Sequence, residues 1–379
     1  MKVKNLKLVS FRNYPSLNLD LEDGLNIFIG SNAQGKTNIL ESIYYASTGG
    51  SFRSNTDMEL INWNAQGCSI AVKFQRLDVE NKIDIKLQRD KKRIIEYNSH
   101  KLSSKELVGA LNVVLFCPDD LLLIKGAPAE RRRFLDMEIS QANPSYYHEL
   151  IKYNHLLQQR NSLLKKIREK KADSKMLELW DFQLAESAVK ITKKRISSVE
   201  KFNMLANLMQ RRISGNIETL KIEYVIKGRE KESNLKRDNN QIEEDLKIWY
   251  NKMLGQFRED DIWRGSTSIG PHRDDIVVYV NGINLKSFGS QGQQRTGVLA
   301  LKLSELEFIR SEAGEYPILL LDDVMSELDK DRRCQLLSFI QRENIQTLIT
   351  ATDEAYFHNY DLNSYLKVMD GQVITADRT

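Results

Sequence analysis

The sequence predicts an α/β fold in which a mixed sheet surrounds one helix, beside an antiparallel β subdomain and a helical second lobe. Three observations predict this fold. An apolar segment at 25–29 runs into a glycine-containing loop and a helix. A second apolar segment at 318–321 ends in two aspartates. Between them, from Ala129 onward, apolar residues recur every three, four or seven positions, which is the periodicity of helices.

The glycine-containing loop has the spacing of a phosphate-binding loop. Four residues fit the pattern G-x-x-x-x-G-K-[ST]: Gly30, Gly35, Lys36 and Thr37. The residues between the two glycines complete the loop: Ser31, Asn32, Ala33 and Gln34. In such a loop backbone N–H groups surround the phosphates, the lysine reaches the β- and γ-phosphates, and the hydroxyl ligates Mg²⁺. We therefore expect ATP and Mg²⁺ as cofactors, with Lys36 in a catalytic role and Thr37 as a metal ligand.

The second apolar segment has the form of a Walker B strand. Its sequence ILLLDD, at 318–323, predicts a buried strand beside the loop strand, with Asp322 at its carboxyl end. We expect Asp322 to be the second protein ligand of Mg²⁺. Asp323 follows directly and is the expected catalytic carboxylate, able to orient or deprotonate an attacking water.

The other elements follow from hydrophobic alternation and turn residues. Strands are expected at 3–11, 17–21, 68–74, 83–87, 113–116, 275–280, 348–352 and 365–369, with turns at 13–15, 23–24 and 281–282. Helices are expected at 39–46, 150–167, 176–213 and 291–311. The helical run breaks near 172–174, which leaves segments of roughly 25 to 35 residues and no long coiled coil. The charged stretch 227–244 is expected to be a connection or a surface excursion.

Composition narrows the class of protein. Three cysteines lie far apart and no apolar run approaches the length of a membrane span, so we expect no disulfide framework, no zinc site, no membrane and a cytoplasmic location. Net charge is +4. Residues 152–195 hold 12 Lys and Arg against 5 Asp and Glu, a local balance of +7, so the rest sums to 4 − 7 = −3. Such a local excess suits DNA as a partner.

A third motif precedes the Walker B strand. The segment FGSQGQQR, at 288–295, opens a helix, so that Ser290 and N–H groups near Gly292 form a second anion site. Together with SELD at 326–329, it resembles the signature and D-loop of ABC-type ATPases. In that class two heads enclose ATP, with the P-loop of one subunit facing the signature of the other. This resemblance implies an ATP-dependent homodimer.

Four further stretches narrow the resemblance. They are SFRNY at 10–14, PDDLLLIKGAPAERRRFLD at 118–136, SIGPHRDD at 268–275 and LLLDDVMSELD at 319–329. In this order the chain resembles the RecF family of bacterial recombination mediators, which are similar to SMC heads without the long coiled coil. The expected domains are then one half of an ABC-type P-loop ATPase head at 1–135, a helical lobe at 136–265 and the other half at 266–379.

The resemblance implies a function as well as a fold. It implies ATP-driven dimerisation on duplex and gapped or single-stranded DNA, with weak, DNA-stimulated hydrolysis that acts as a switch. It also implies that RecO and RecR are partners in loading RecA, with roles in DNA repair, replication restart and the SOS response. From the SFRNY motif, Arg12 joins the expected nucleotide-binding residues.

Several positions depart from transporter-type ABC heads. Asp323 replaces the usual Glu, Thr352 and Asp353 occupy the place of the switch His, and FCPDD at 116–120 replaces the Q-loop Gln. These departures favour a slow switch. In GPHRDD, His272 is expected to be structural. The residues that follow it are expected to form an ion-paired junction between the lobes, with a role at the dimer face as the alternative: Arg273, Asp274 and Asp275.

Two other functions fit the P-loop. A P-loop kinase acting on a small acceptor would leave the segments FGSQGQQR and SELD without a purpose, and phosphate transfer without DNA would identify it. An ABC transporter subunit would need a transmembrane partner and normally has the Glu and His that this sequence lacks.

Overall fold

The computed structural model describes residues 1–229, 239–357 and 364–377. The chain divides into two compact units: Met1–Asp120 with Val298–Thr379 form the first unit, and Leu121–Gly297 form the second unit. The expected domains at 1–135, 136–265 and 266–379 stay a prediction, because a compact unit and a functional domain need not share their limits. In the described residues no helix is long and apolar enough to cross a membrane.

The described strands and helices are as follows in chain order. The strands are β1 (Lys2–Phe11), β2 (Tyr14–Asp20), β3 (Leu25–Ile29), β4 (Gly67–Arg76), β5 (Val79–Gln88), β6 (Lys91–Tyr97), β7 (His100–Leu102), β8 (Val113–Phe116), β9 (Leu220–Val225), β10 (Asp275–Val280), β11 (Ile283–Asn284), β12 (Ile318–Asp322), β13 (Thr347–Ala351), β14 (Ser364–Met369) and β15 (Gln372–Asp377). The α-helices are α1 (Lys36–Thr48), α2 (Ser104–Leu107), α3 (Leu122–Lys125), α4 (Pro128–Ala142), α5 (Pro144–Arg168), α6 (Leu177–Ile213), α7 (Asn239–Gln256), α8 (Arg258–Arg264), α9 (Leu285–Phe288), α10 (Gln291–Ala313), α11 (Val324–Glu327) and α12 (Lys330–Arg342).

The first unit contains a mixed sheet in the order β15-β14-β3-β13-β12-β8. Neighbouring strands from β14 to β8 pair in parallel, and β15 pairs with β14 antiparallel. Because the carboxyl ends of parallel strands meet at one edge, the loop after β3 and the aspartates at the end of β12 lie at the same edge. The sheet therefore positions both motifs at one edge. The strand at 318–322 is not beside the loop strand as expected, however, because β13 lies between β3 and β12.

A second sheet of the first unit is antiparallel, in the order β2-β1-β4-β5-β6-β7. Its inner face joins the mixed sheet and α1 in one core, which includes Leu8 and Ile70 of this sheet, Ile43 of α1, and Leu320 and Leu348 of the mixed sheet. Every second residue of β4 is buried, as its alternating sequence predicts. The predicted α/β class with an antiparallel subdomain is confirmed.

The second unit is largely helical. Helix α5 has 25 residues and α6 has 37, so α6 is about 55 Å long at about 1.5 Å per residue. Leu163 and Leu164 of α5 pack with Leu177 of α6 in a buried cluster. A short sheet in the order β11-β10-β9 completes the unit. No described helix exceeds α6, in agreement with the prediction of a helical lobe without a long coiled coil.

Three local expectations need correction. The turn expected at 13–15 is shorter, since β2 begins at Tyr14; Pro15 is tolerated because β2 is an edge strand. Helix α6 covers the expected range 176–213 apart from its first residue, but its 37 residues exceed the expected segment length of roughly 25 to 35 residues. Within the stretch expected as a connection at 227–244, α7 already begins at Asn239, while residues 230–238 lie outside the described residues.

Candidate nucleotide-binding site

The loop between β3 and α1 needs glycine at both motif positions. Gly35 has a φ of 110°, and a Cβ atom there would lie 2.5 Å from Nδ2 of Asn13. At Gly30 a Cβ atom would lie 2.4 Å from the carbonyl oxygen of Val368. Ala33 also has a positive φ, 65°. The loop is therefore closely packed against its neighbours in a backbone conformation that only small residues adopt readily.

The residues between the two glycines face solvent to different extents. Ser31, Asn32 and Ala33 are exposed, and Gln34 is half-buried. The carbonyl of Gln34 accepts a hydrogen bond from Nδ2 of Asn13 at 3.0 Å, and its Oε1 accepts one from the backbone N–H of Asp370 at 2.6 Å. The loop is thus fixed at its second half and open to solvent at its first half.

Lys36 begins α1 and is only 7% exposed. Its ammonium donates to the carbonyl oxygens of Gly30 at 2.7 Å and Ser31 at 2.9 Å. Burial lowers the pKa of Lys36, and the carboxylates of Asp323 and Asp322 oppose that shift. A buried ammonium near the loop is a cation suited to a phosphate, because an anion would compensate the charge that burial penalises.

The two expected metal ligands lie in direct contact. Oγ1 of Thr37 donates to Oδ1 of Asp322 at 2.7 Å. Thr350 of β13 donates its hydroxyl to the same oxygen at 2.9 Å, which fixes the carboxylate from the neighbouring strand. Thr37 and Asp322 are separated by 285 positions in the chain and are brought together by the parallel sheet. A hydroxyl and a carboxylate are the oxygen ligands that Mg²⁺ prefers.

Asp323 has an unusual backbone and an unsatisfied carboxylate. Its φ is 54°, and its N–H donates to Oγ1 of Thr350 at 2.9 Å. Oδ1 of Asp323 is buried without a hydrogen-bond partner in the described structure. Burial raises the pKa of Asp323; Lys36 lowers it, and Asp322 and Glu327 raise it further. A buried acceptor without a donor and with a raised pKa fits a carboxylate that receives a proton from water.

The oxygen atoms of Thr37 and Asp322 can supply only part of the ligand shell of a Mg²⁺ ion. Among the residues that the structure describes, no group of three or more His, Cys, Asp or Glu side chains could hold a metal ion. A magnesium ion bound to Thr37 and Asp322 would therefore take its remaining ligands from phosphate and water, which is how Mg²⁺ is usually bound beside nucleotides.

The guanidinium of Arg12 is already hydrogen-bonded to residues of the first unit. Its guanidinium donates to both carboxylate oxygens of Glu41, at 2.9 and 2.6 Å, and to the carbonyl of Glu59 at 2.8 Å. It also contacts the hydroxyl of Ser54. Binding of a nucleotide by Arg12 would require an exchange of these partners, and its assignment as a nucleotide-binding residue stays a prediction.

Two polar residues of the site are not among those that the sequence motifs predict. Asn13 lies in an expected turn, but it donates to the carbonyl of Gln34 and accepts from Nδ2 of Asn38 at 2.8 Å. Its position in the SFRNY motif next to Arg12 was the available signal. Thr350 was taken as a strand residue, and only the register of β12 against β13, which pairs it with Asp322, reveals its role.

The signature segment lies in the second unit and is described by itself. Ser290 precedes α10, accepts a hydrogen bond from the N–H of Gln293 at 3.2 Å, and donates its own N–H to Oε1 of Gln293 at 3.1 Å. This reciprocal pair is a capping box. Ser290 and Gly292 are exposed, and Phe288 is 78% exposed. The segment is a capped helix start that faces solvent.

His272 has the structural role expected of it. It is hydrogen-bonded to the hydroxyl of Tyr153 at 2.6 Å and to the carbonyl of Thr267 at 3.1 Å. Burial lowers the pKa of His272 to about 4, so it is neutral at pH 7. Both partners belong to the second unit.

The ion-paired junction expected from Arg273, Asp274 and Asp275 needs correction. Among the described residues, Asp275 is the one of the three with an ion pair, to Arg131 at 2.8 Å, and Arg273 donates to the carbonyl of Thr267. Asp274 accepts from the hydroxyl of Tyr224 at 2.6 Å, and burial raises its pKa to about 6. All of these contacts lie inside the second unit, because the partners belong to α4, to β9 and to the loop after α8 of that unit.

The basic stretch at 152–195 is less uniform than its composition indicates. Arg195 is buried and pairs with Asp136 at 2.8 Å. Arg160 is also buried, and pairs with Asp181 at 2.7 Å and with Asp261 at 2.8 Å. These two cations stabilise the helical core and are withdrawn from any surface. Most of the remaining lysines and arginines of the stretch are exposed, so a smaller basic surface remains.

Known proteins resemble the whole chain. A family model described as RecF/RecN/SMC N terminal domain matches residues 2–375. The chain is 46% identical to the DNA replication and repair protein RecF of Alkaliphilus oremlandii, over 93% of both chains. It is 43% identical to the protein of the same name from Clostridium novyi, over 98% of this chain and 99% of the relative.

A solved structure of similar fold is described as a complex with ATP. The structure of the recombination mediator protein RecF-ATP in the RecFOR pathway matches with a TM-score of 0.88 and 37% identity. The match covers 99% of this chain and 97% of that chain. Both sequence and fold are therefore shared along nearly the whole length of the chain.

Proposed function

The chain belongs to the RecF family of DNA replication and repair proteins, and from that premise we propose that it is an ATP-gated DNA-binding protein of recombinational repair. The observation that carries the proposal is the contact between Thr37 and Asp322, with Lys36 and Asp323 beside them. This arrangement has a cation for phosphate, oxygen ligands for a metal and an unsatisfied carboxylate for water.

ATP is the nucleotide that these residues fit. Lys36 would exchange its carbonyl partners, Gly30 and Ser31, for phosphate oxygens, which form stronger charge-assisted hydrogen bonds. Thr37 and Asp322 would hold Mg²⁺, which when bound neutralises phosphate charge. Asp323 would accept the proton of the attacking water, because its buried Oδ1 has no hydrogen-bond donor among the described residues. A solved relative is described as RecF-ATP, which supports this choice of nucleotide.

Dimerisation is the event that ATP would control. Ser290 lies at the exposed start of α10, where the helix dipole favours an anion. We assign this segment to the γ-phosphate of an ATP molecule bound to a second copy of the chain. A ligand shared by two copies stabilises only the joined state, so ATP would promote a homodimer.

The joined dimer would bind duplex and gapped DNA. The exposed cations of the stretch 152–195 supply phosphate contacts without a groove-reading module. Hydrolysis would be slow and would release the DNA, since Asp323 stands where faster ABC heads use Glu. The RecFOR pathway of the solved relative supports RecO and RecR as partners, with RecA loading, replication restart and SOS induction as the cellular outcome.

One experiment tests this function directly. Oligomeric state and duplex binding are measured in a single buffer, with and without ATP, by light scattering and fluorescence anisotropy. We expect ATP to convert monomer to dimer and to tighten DNA binding, with a log-log salt slope of roughly −0.9 per neutralised phosphate. The proposal would be contradicted if dimerisation and DNA binding were the same with and without ATP. It would also be contradicted if the chain transferred phosphate to a small acceptor without DNA.

A further inference from the structure

The first unit carries a second surface with the chemistry of a nucleic-acid contact. It lies where the loop after Ile61 meets the turn between β5 and β6. We propose that this Trp63 surface, defined by Trp63, Lys86, Lys91 and Lys92, binds single-stranded DNA by stacking an unpaired base on Trp63. The lysines contact the adjacent phosphates. This inference rests on the DNA binding proposed above and adds a site for the unpaired strand.

Trp63 is held out in solvent by a fixed backbone turn. Its side chain is 94% exposed. The preceding residue, Asn62, donates from Nδ2 to the carbonyl of Arg12 at 2.7 Å, and its Oδ1 accepts the N–H of Asn64 at 3.1 Å. The N–H of Ala65 donates to the carbonyl of Asn62 at 3.0 Å. The turn is therefore ordered, while the indole remains available for stacking.

The basic hairpin is attached to this turn. Nε of Arg89 donates to the carbonyl of Ala65 at 3.1 Å, and the backbone N–H of Arg89 donates to the carbonyl of Gln66 at 3.1 Å. Residues 86–93 read KLQRDKKR, with five cations and one acid, a local balance of 5 − 1 = +4. An exposed aromatic and a cationic hairpin are thus joined at one end of the antiparallel sheet.

The lysines of the hairpin differ from its second arginine in their availability. Arg93 donates to the hydroxyls of Ser104 and Tyr45, so it stabilises the fold. Lys86, Lys91 and Lys92 are exposed, and none of them pairs with an acidic side chain among the residues that the structure describes. These three cations are consequently the ones that can contact phosphates.

Unpaired DNA fits this combination better than duplex does. An isolated exposed apolar side chain is common and carries no argument alone. Next to available lysines, however, an indole supplies a stacking platform that any base can use once it is unstacked from its own strand. In duplex DNA the base faces are already occupied by their neighbours. Replacing such an aromatic by alanine weakens single-strand binding by roughly 5- to 150-fold per stacked base.

The test uses the full chain with ATP, a labelled oligothymidylate and a fully paired duplex. We expect Trp63→Ala to weaken oligothymidylate binding by about tenfold and to leave duplex binding unchanged. Trp63→Phe should retain most of the affinity. The double variant Lys91→Gln, Lys92→Gln should reduce the salt slope for oligothymidylate by about 1.4. The matched control is Leu77→Ala, which removes an apolar side chain that is 60% exposed at the turn between β4 and β5 and should change neither affinity.

Thermal melting and ATP affinity complete the test. Variants that melt like wild type but bind oligothymidylate as wild type does would overturn the inference. A loss of ATP affinity in Trp63→Ala would also overturn the inference, because it would assign the indole to adenine. A loss of duplex affinity equal to the loss of oligothymidylate affinity would overturn it as well. If the wild-type chain bound neither DNA, the proposed function would fail; if it bound duplex and Trp63→Ala left single-strand binding intact, only the Trp63 surface would fail.

Discussion

The P-loop region of the first unit and the signature segment of the second unit are built in opposite ways. Around the P-loop, contacts such as that between Thr37 and Asp322 join residues 285 positions apart. At the signature, Ser290 bonds to Gln293 within the same helical turn. The first region therefore depends on the completed sheet, while the second is a local structure presented to solvent. The contrast teaches that the P-loop region is assembled by contacts across the fold, whereas the signature segment is an exposed local structure, which is the form our proposal of a ligand held by another copy requires.

The largest expected effect breaks the P-loop side of this comparison. Lys36→Met removes the ammonium that we assign to the β- and γ-phosphates. ATP affinity should fall about 100-fold or more, because two charge-assisted hydrogen bonds are worth roughly 1.5 kcal/mol or more each. Titration with a fluorescent ATP analogue measures the change. The control Lys7→Met, at an exposed position of β1, should bind normally, and unchanged affinity in Lys36→Met would remove the P-loop from the account.

A second prediction separates binding from hydrolysis within the same region. Asp323→Asn keeps the shape and the positive φ, which Asn tolerates, but loses the proton acceptor. Turnover should fall by about 100-fold or more, while ATP binding and dimerisation persist. Phosphate release and light scattering measure the two properties. Normal turnover in Asp323→Asn would mean that another group accepts the proton; Asp23→Asn, at an exposed ion pair, is the control.

Turnover should also depend on pH in the sense set by the pKa of Asp323. Burial raises that pKa, and a base acts only when deprotonated. Hydrolysis should therefore decrease as the pH falls toward the raised pKa, at a higher pH than an ordinary aspartate would give. In the residual activity of Asp323→Asn this decrease should be absent. An identical acid limb in both chains would contradict the assignment.

A smaller expected effect concerns the second unit, where His272 makes the free energy of unfolding depend on pH. The pKa of His272 is lowered to about 4, below the unfolded value of about 6.5. The folded chain therefore binds fewer protons than the unfolded chain, and stability is lost as pH falls from about 6.5 to 4, by up to about 1.4 kcal/mol per pH unit. Asp274, with a pKa raised to about 6, partly offsets this loss, because protonating it favours the folded state.

His272→Asn should flatten that acid dependence without changing ATP affinity at pH 7. Urea unfolding at several pH values measures the free energy of unfolding, and His155→Gln, at an exposed position of α5, is the control. An unaltered pH dependence in His272→Asn would show that His272 does not titrate as its burial requires. A loss of ATP affinity would show that the second unit is coupled to the P-loop through this residue.

Local motifs could be predicted from the sequence, whereas contacts that depend on the completed fold could not. The strand and loop of the P-loop motif, the strand at 318–322 and the start of a helix after Ser290 were predictable because each motif is local. The contact of Thr37 with Asp322 followed from the rule for parallel strands, but Thr350 did not, since its role depends on strand register. Arg160 and Arg195 were counted as surface charges because their partners, Asp181, Asp261 and Asp136, are distant in sequence. The strand β6 was missed because its first three residues, Lys91, Lys92 and Arg93, are all charged, so that apolar alternation is absent from nearly half of the strand.

The central claim is that Ser290 of one copy completes the ATP site of another. Ser290→Arg should block the joined state by bulk, while ATP binding by each chain's own P-loop survives. Dimerisation by ATP and hydrolysis should both fall, and DNA binding should lose its stimulation by ATP.

The most direct measurement is ATP hydrolysis by a mixture of Ser290→Arg and Lys36→Met chains, each inactive alone. A heterodimer of the two variants has one site in which both the P-loop and the signature are wild type. The account predicts partial recovery of hydrolysis in the mixture, in proportion to the heterodimer present. No recovery, with heterodimers demonstrated by light scattering or cross-linking, would contradict it and would mean that Ser290 acts only within its own chain.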